Sequence, residues 1–355
     1  MLSEPAYVVA LGASTPIGRT AWSSAAAVRA GISGFTHYPH LMDSAGEPVK
    51  IALAPWLDLS VTGVERFWAL LRPALEQVLE LRMQRNPDLR MALALALPSH
   101  RPGLEPSLPS DLVGLVKSDC ADVFAATAVF PNGHAAGIVA LEAVCKKLAQ
   151  GVFDACVIAG VDSYAQPATL EWLEDCDQLH GAGPLNNAWG FIPGEGAGAL
   201  LVVSRSVAEQ FRDVLYAQVL GVSTATESKC IKTETVCIGE GLTHAFRGAL
   251  QSLPAGETVS DVYCDMNGEP YRADEYGFTC LRTAESFQSA SDFVAPADCW
   301  GDVSAASAPL SIALAAIAAR KGYAKGSTAF VWASSELGER GAATLRVAHG
   351  ASDAR

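Results

Sequence analysis

The stretch Ala305–Ala319, AASAPLSIALAAIAA, constrains the fold more than any other part of this sequence. Nearly every residue in it is apolar, so a helix built on it has no polar face to turn toward water. It is too short to cross a bilayer, which takes about 20 apolar residues, and it contains Pro309 and the polar Ser307 and Ser311. A helix of this kind in a soluble protein must be covered on every side. That predicts a layered fold with this helix at its centre.

The rest of the chain supplies the layers. Tyr7–Leu11 (YVVAL) and Met91–Leu97 read as buried strands, and Trp22–Ala30 and Val64–Met83 read as helices. Ile138, Leu141, Val144, Cys145 and Leu148 recur at helical spacing up to Gly151; the strand ACVIAG then runs on to Val161-Asp162-Ser163. Phe191–Ser204 (FIPGEGAGALLVVS) is a glycine-rich turn flowing into another strand. The second half repeats this order: a helix at Leu242–Leu253, the strand VSDVYCDM, the apolar helix ending at Gly322, and the strand STAFVWASS. Two α/β halves, 1–204 and 205–355, packed around two central helices predict a five-layered α-β-α-β-α sandwich.

Half of the residues are hydrophobic, enough for a large core, and the net charge of −13 argues against nucleic acid or an anionic membrane as a partner. Nine cysteines are scattered without a CxxC pair, which predicts free thiols in a reducing compartment and no structural zinc. No basic amino-terminal region precedes an apolar stretch, so no secretory signal is expected and the chain is placed in the cytoplasm.

The opening VVALGASTPIGRT with AVRAGISGF, and above all the block GFIPGEGAGALLV, resemble the β-ketoacyl synthases of the thiolase superfamily. The resemblance implies the thiolase fold, with duplicated halves. It also implies a nucleophilic cysteine on a tight turn at the amino end of a buried helix, two histidines opposite it, and a glycine-rich oxyanion loop. Counting back from Asp154, the cysteine position falls on His134 in NGHAAG, with no cysteine within ten residues on either side. The first histidine position falls on Asn267, and the second on Asp302 of the Gly301-Asp302 dipeptide. The expected lysine is Ala297, and the oxyanion loop is replaced by Ser335–Gly341. A helix amino terminus disfavours a cation, so His134 is expected to be neutral.

His134 has three readings: a residue filling a closed pocket, a general base oriented by Asp302 with Asn267 as a donor, or a metal ligand with Asp302. Asn267 also fits a plain Asn-Gly turn cap. Asp265, Glu269, Asp274 and Glu275 read as a solvated acidic loop or as a face for a basic partner. Glu195, charged in an apolar setting, is expected to bind backbone amides. Cys299, three residues before Asp302, is the thiol nearest in sequence to the Asp302 position, while His37, His40 and His180 fall in loops and receive no role.

Decarboxylative condensation needs a nucleophile and neutral donors for the developing oxyanion, and His, Asn and Asp at these places do not supply them. No catalytic residue, cofactor or metal is expected. The resemblance then implies a non-catalytic ketosynthase-like scaffold, adaptor or accessory subunit, beside a polyketide or fatty-acid synthase or a bacterial toxin-secretion system. It would act as a homodimer, or as a heterodimer with a related protein, and contact an effector or an active synthase. The strand around Val123–Phe130 is the expected dimer strand. The alternatives are an acyl-thioester hydrolase or decarboxylase using His134, an acyltransferase of the β-ketoacyl synthase type, and a binding module that keeps the acyl pocket.

Overall fold

A computed structural model describes residues 4–349 except 122, 232 and 234. The strands are β1 (Ala6–Ser14), β2 (Phe35–Met42), β3 (Pro48–Ala52), β4 (Met91–Ala96), β5 (Phe124–Phe130), β6 (Ala155–Ser163), β7 (Glu195–Ser204), β8 (Ala217–Thr226), β9 (Asp261–Cys264), β10 (Phe293–Val294), β11 (Thr328–Ser334) and β12 (Glu339–Val347). The helices are α1 (Ala21–Arg29), α2 (Gly63–Arg85), α3 (Leu108–Asp119), α4 (Ala136–Ala149), α5 (Pro167–Asp175), α6 (Arg205–Ala208), α7 (Glu240–Leu250), α8 (Pro270–Thr283), α9 (Ala297–Trp300) and α10 (Ser307–Arg320).

Ten strands lie in the order β10-β9-β11-β12-β8-β1-β7-β6-β4-β5. Read outward from the centre, β1-β7-β6-β4-β5 and β8-β12-β11-β9-β10 are both first, fifth, fourth, second, third in chain order. Strand sense repeats as well. In each half the first three strands alternate antiparallel and the last two join in parallel. The duplication, faint in sequence, is therefore complete in topology. The halves join where Ala6–Val8 of β1 pair with Ala217–Val219 of β8.

The layers follow from what each helix touches. α4 contacts β4 and β6 on one side and β8 and β12 on the other, while α10 contacts β6 and β7 on one side and β9 and β11 on the other. These two helices form the middle layer. α2, in contact with α3, covers β1, β6 and β7 from outside, and α7, in contact with α8, covers β8 and β12. Every residue of α10 from Ser307 to Ala319 is buried, as its composition requires. Pro309 falls in its first turn, where a missing N–H forfeits no intrahelical bond.

Three expectations change here. His37 and His40 lie in β2, which pairs with β3 as a separate hairpin, rather than in a loop. The acidic segment after β9 is not a solvated loop: Glu275 belongs to α8, and Asp265, Glu269 and Glu275 are all buried. The reason is a set of arginines that the acids enclose. Arg272 pairs with Asp265 and Glu269, and Arg340 pairs with Glu275. Glu195 does accept a backbone amide, from Ala54, but its main partner is the Arg66 guanidinium, which it meets through both oxygens at 2.7 Å.

Candidate functional site

His134 stands in a single 3-10 turn, Gly133–Ala135, which feeds directly into α4. The turn is held from the other half of the fold. Ser335, just after β11, accepts from the Ala135 amide at 2.8 Å and donates to the Asn132 carbonyl. Asp302 is set by the glycine-rich turn ahead of β7. Gly194 N donates to Asp302 O and Asp302 N donates to Ile192 O, each at 2.8 Å. Glycine is required at 194, because a Cβ there would stand 2.2 Å from Trp300 O. The segment that carries the strongest sequence resemblance thus positions Asp302 directly.

The three residues singled out in the sequence meet. His134 Nε2 lies 2.9 and 2.8 Å from the two Asp302 carboxylate oxygens. Asn267 Nδ2 donates to Asp302 Oδ2 at 2.7 Å and to Glu269 Oε2 at 3.0 Å, and the Ser304 amide donates to Asp302 Oδ1 at 2.8 Å. Asn267 Oδ1 also accepts the Glu269 amide at 3.2 Å, so this residue both caps the turn and belongs to the cluster. Arg272, unforeseen in the sequence, completes it. Its Nη2 is 3.3 Å from His134 Nε2, while Nη1 and Nε hold Asp265 and Glu269 at 2.9 and 3.1 Å.

Electrostatics push against the expectation of a neutral His134. Burial works against a charged ring, and Arg272 adds to that, but the Asp302 carboxylate outweighs both and raises the imidazole pKa above its ordinary value. Burial likewise works against a charged Asp302, yet His134 and Arg272 hold its carboxyl well below the usual range. The Asp302 carboxylate therefore favours the charged ring: at hydrogen-bond distance it outweighs a helix terminus, whose field is worth only about 0.3–1 kcal/mol.

The pocket is not closed. A cavity of about 330 Å³ reaches His134, lined also by Ser99, Arg101, Tyr164, Trp172 and Glu336. Arg101 is anchored on Asp162 at 2.9 and 2.6 Å and stacks 4.0 Å from the Tyr164 ring centroid. Charged, hydroxyl and indole groups share this wall with Leu337, Cys230 and Gly133. Cys299 is buried, does not line the cavity, and has its thiol pKa raised by burial. Cys230 does line it, which sequence reasoning missed. Its Sγ donates to Glu227 O, and burial raises its pKa too. The buried carboxylates in apolar strands, Asp162 and Glu195, were the available signal for Arg101 and Arg66, because a buried acid requires a cation.

Residues 131–208 match the profile described as Beta-ketoacyl synthase, N-terminal domain. That span runs from the His134 turn through the glycine-rich turn and β7. Solved structures extend the likeness to nearly the whole chain. A chain of the AntDE:AntF assembly, a type II PKS acyl-carrier protein in complex with its ketosynthase bound to the hexaketide, aligns at 14% identity with a TM-score of 0.79 over 97% of this chain and 99% of that one. The fold is that of a ketosynthase. The ishigamide ketosynthase/chain length factor aligns at 19% identity and a TM-score of 0.69, covering 97% of this ketosynthase-like chain and 99% of that one. The ketosynthase from module 6 of the bacillaene synthase of Bacillus subtilis 168 aligns at 13% identity and a TM-score of 0.74, covering 98% and 72%. No curated protein matches in sequence. Among the described residues no helix is long and apolar enough to cross a membrane.

Proposed function

We propose that this chain is a non-catalytic ketosynthase-like subunit, a scaffold or accessory partner that works through protein contacts beside an active synthase or a secreted effector. One observation carries the reading: at the tip of α4, where the family resemblance calls for a thiolate, the His134 imidazole is tied through Nε2 to Asp302. A ring nitrogen whose hydrogen is held by a carboxylate is not a nucleophile and has no lone pair to take a proton. The solved relatives include a chain length factor assembly and an acyl-carrier complex, and their likeness supports a partner role.

A second reading rests on the cavity. His134 lines it, and only Nε2 of the ring has a hydrogen-bond partner among the described residues, which leaves Nδ1 for a substrate. His134, Asp302 and Asn267 then form a base, an orienting carboxylate and a donor for hydrolysis or decarboxylation of a thioester. The raised pKa weighs against it, since it favours the protonated ring over the free base. Malonyl- and acyl-thioester turnover by wild type and His134→Ala separates the two. Equal background rates and no acyl adduct by mass spectrometry are expected. A wild-type rate about 100-fold or more above the variant would instead establish catalysis by His134.

The partner surface proposed for a second copy is β5. This strand ends the ladder, carries no charge (FAATAVF), and exposes Ala125, Ala126 and Ala128. An uncharged edge strand is a template for pairing, and antiparallel pairing of β5 about a twofold axis would satisfy it. Light scattering at micromolar concentration should give a dimer for wild type and a monomer for Ala126→Lys. A monomeric wild type, or a variant that stays dimeric, would remove β5 as the interface.

A further inference from the structure

A second cluster of reactive groups lies outside the His134 site. Glu227, Cys237 and Glu275 bring one ligand atom each to within 4.8 Å of one another. They come from three places: the start of the loop after β8, the end of that loop just ahead of α7, and the middle of α8. Glu275 is fully buried. Its Oε1 accepts from Arg340 Nε at 2.6 Å, and its Oε2 is buried with no hydrogen-bond partner among the described residues. A buried polar atom left unsatisfied costs on the order of 1–3 kcal/mol, more when charged, and calls for a missing partner.

The other two donors are held in place around that oxygen. Glu227 is buried, and the amides of Lys229 and Gly241 fix its two oxygens at 3.1 and 2.8 Å, each oxygen keeping a further lone pair. Cys237 is delivered by a close approach of the loop to α8. Gly239, two residues on, has a φ of 67°, and a Cβ there would stand 2.5 Å from Glu275 O.

We propose that Glu227, Cys237 and Glu275 form a binding site for a divalent ion of the zinc type. Zinc takes thiolate at about 2.3 Å and carboxylate at about 2.0–2.2 Å, so tetrahedral ligands of this kind stand roughly 3.4–3.6 Å apart and the trio closes by about 1 Å around the ion. On binding, the Cys237 thiol proton leaves to solvent as the sulfur–metal bond forms, and no electron is transferred. One thiolate, two carboxylates and the Arg340 guanidinium then sum to two negative charges, which the ion cancels. Magnesium and calcium, which prefer six or more oxygens, suit this set poorly. The absence of a CxxC pair had argued against a metal in the sequence, but these ligands converge only in the fold. The same loop carries Cys230 and Thr233, which line the His134 cavity, so the ion would pin one wall of that cavity.

The full chain titrated with Co²⁺ alone tests this. One ion per chain, with a near-ultraviolet sulfur-to-cobalt charge-transfer band that Zn²⁺ displaces, is expected. The band should vanish in Cys237→Ser, affinity should fall about 10-fold or more in Glu275→Gln, and Cys230→Ser should retain both. No sulfur band at saturating Co²⁺, or a band that survives Cys237→Ser, would overturn the site. A measurement independent of variant folding is alkylation of the wild-type chain. Zn²⁺ should protect Cys237 from iodoacetamide, and equal labelling with and without the ion would also overturn the site.

Discussion

Asp302→Ala should lower the unfolding free energy by about 3–5 kcal/mol, the range found when one member of a buried ion pair is removed. Asp302 is buried and accepts from His134, Asn267 and the Ser304 amide. Truncation leaves His134 Nε2 and the Ser304 amide without this acceptor, and Asn267 with Glu269 alone, next to Arg272, whose charge keeps Asp265 and Glu269. Asp302→Asn keeps the shape and an acceptor, so a smaller loss is expected. The pair also makes the effect depend on pH. His134 has a raised folded pKa, so its contribution is complete below its unfolded value of about 6.5 and fades as pH climbs through the folded one. Asp302 has a depressed folded pKa, so its share is complete above about 3.9 and fades only as pH drops through the folded value. The gap between wild type and Asp302→Ala in urea midpoints should therefore be widest between about pH 4 and 6.5 and narrow on the alkaline side. A gap under about 1 kcal/mol, or one that widens with pH, would contradict this account of the cluster.

Glu195→Ala should cost about as much, roughly 3–5 kcal/mol, for a reason unconnected with the cavity. Both Glu195 oxygens meet the buried Arg66 guanidinium, Oε1 accepts the Ala54 amide at 2.8 Å, and Oε2 accepts the Ser163 hydroxyl at 2.7 Å. Without the carboxylate, Arg66 keeps, among the described residues, the carbonyls of Asp58 and Val61. A double variant, Arg66→Met with Glu195→Leu, removes both charges and should recover most of the loss, because well-packed apolar replacements of a buried pair are often neutral. Denaturant midpoints of the two singles and the double make the cycle. A double variant as unstable as the sum of the singles would mean that lost packing, rather than an unpaired charge, dominates.

Much of the frame was legible because it depends on short-range pattern. The largely apolar run of α10 pointed to a central layer, and FIPGEGAGALLVVS announced a close-packed turn into β7. The contact of His134 with Asp302 was anticipated by the resemblance, which paired the two positions. The rise in the imidazole pKa was not, because it depends on a distance, and distances across 168 residues leave no trace in spacing. The acids after β9 misled for the same reason. Arg272 is near them in sequence, but Arg340, the partner of Glu275, lies 65 residues away. The hairpin of β2 and β3 was missed because FTHYPHLM mixes polar residues with Pro39. α3 was missed because LPSDLVGLVKSD opens with Pro109 and carries Gly114.

The middle layer carries a consequence for how this molecule is made. α4 is synthesised long before β8 and β12, two of the strands that cover it. A nascent chain that has emerged only as far as β7 therefore presents a greasy helix face with no lid, and hydrophobic collapse cannot finish until the last strand is released from the ribosome. The late-made half acts as a cover for the early one, and that face of α4 stays open until β8 and β12 have been made.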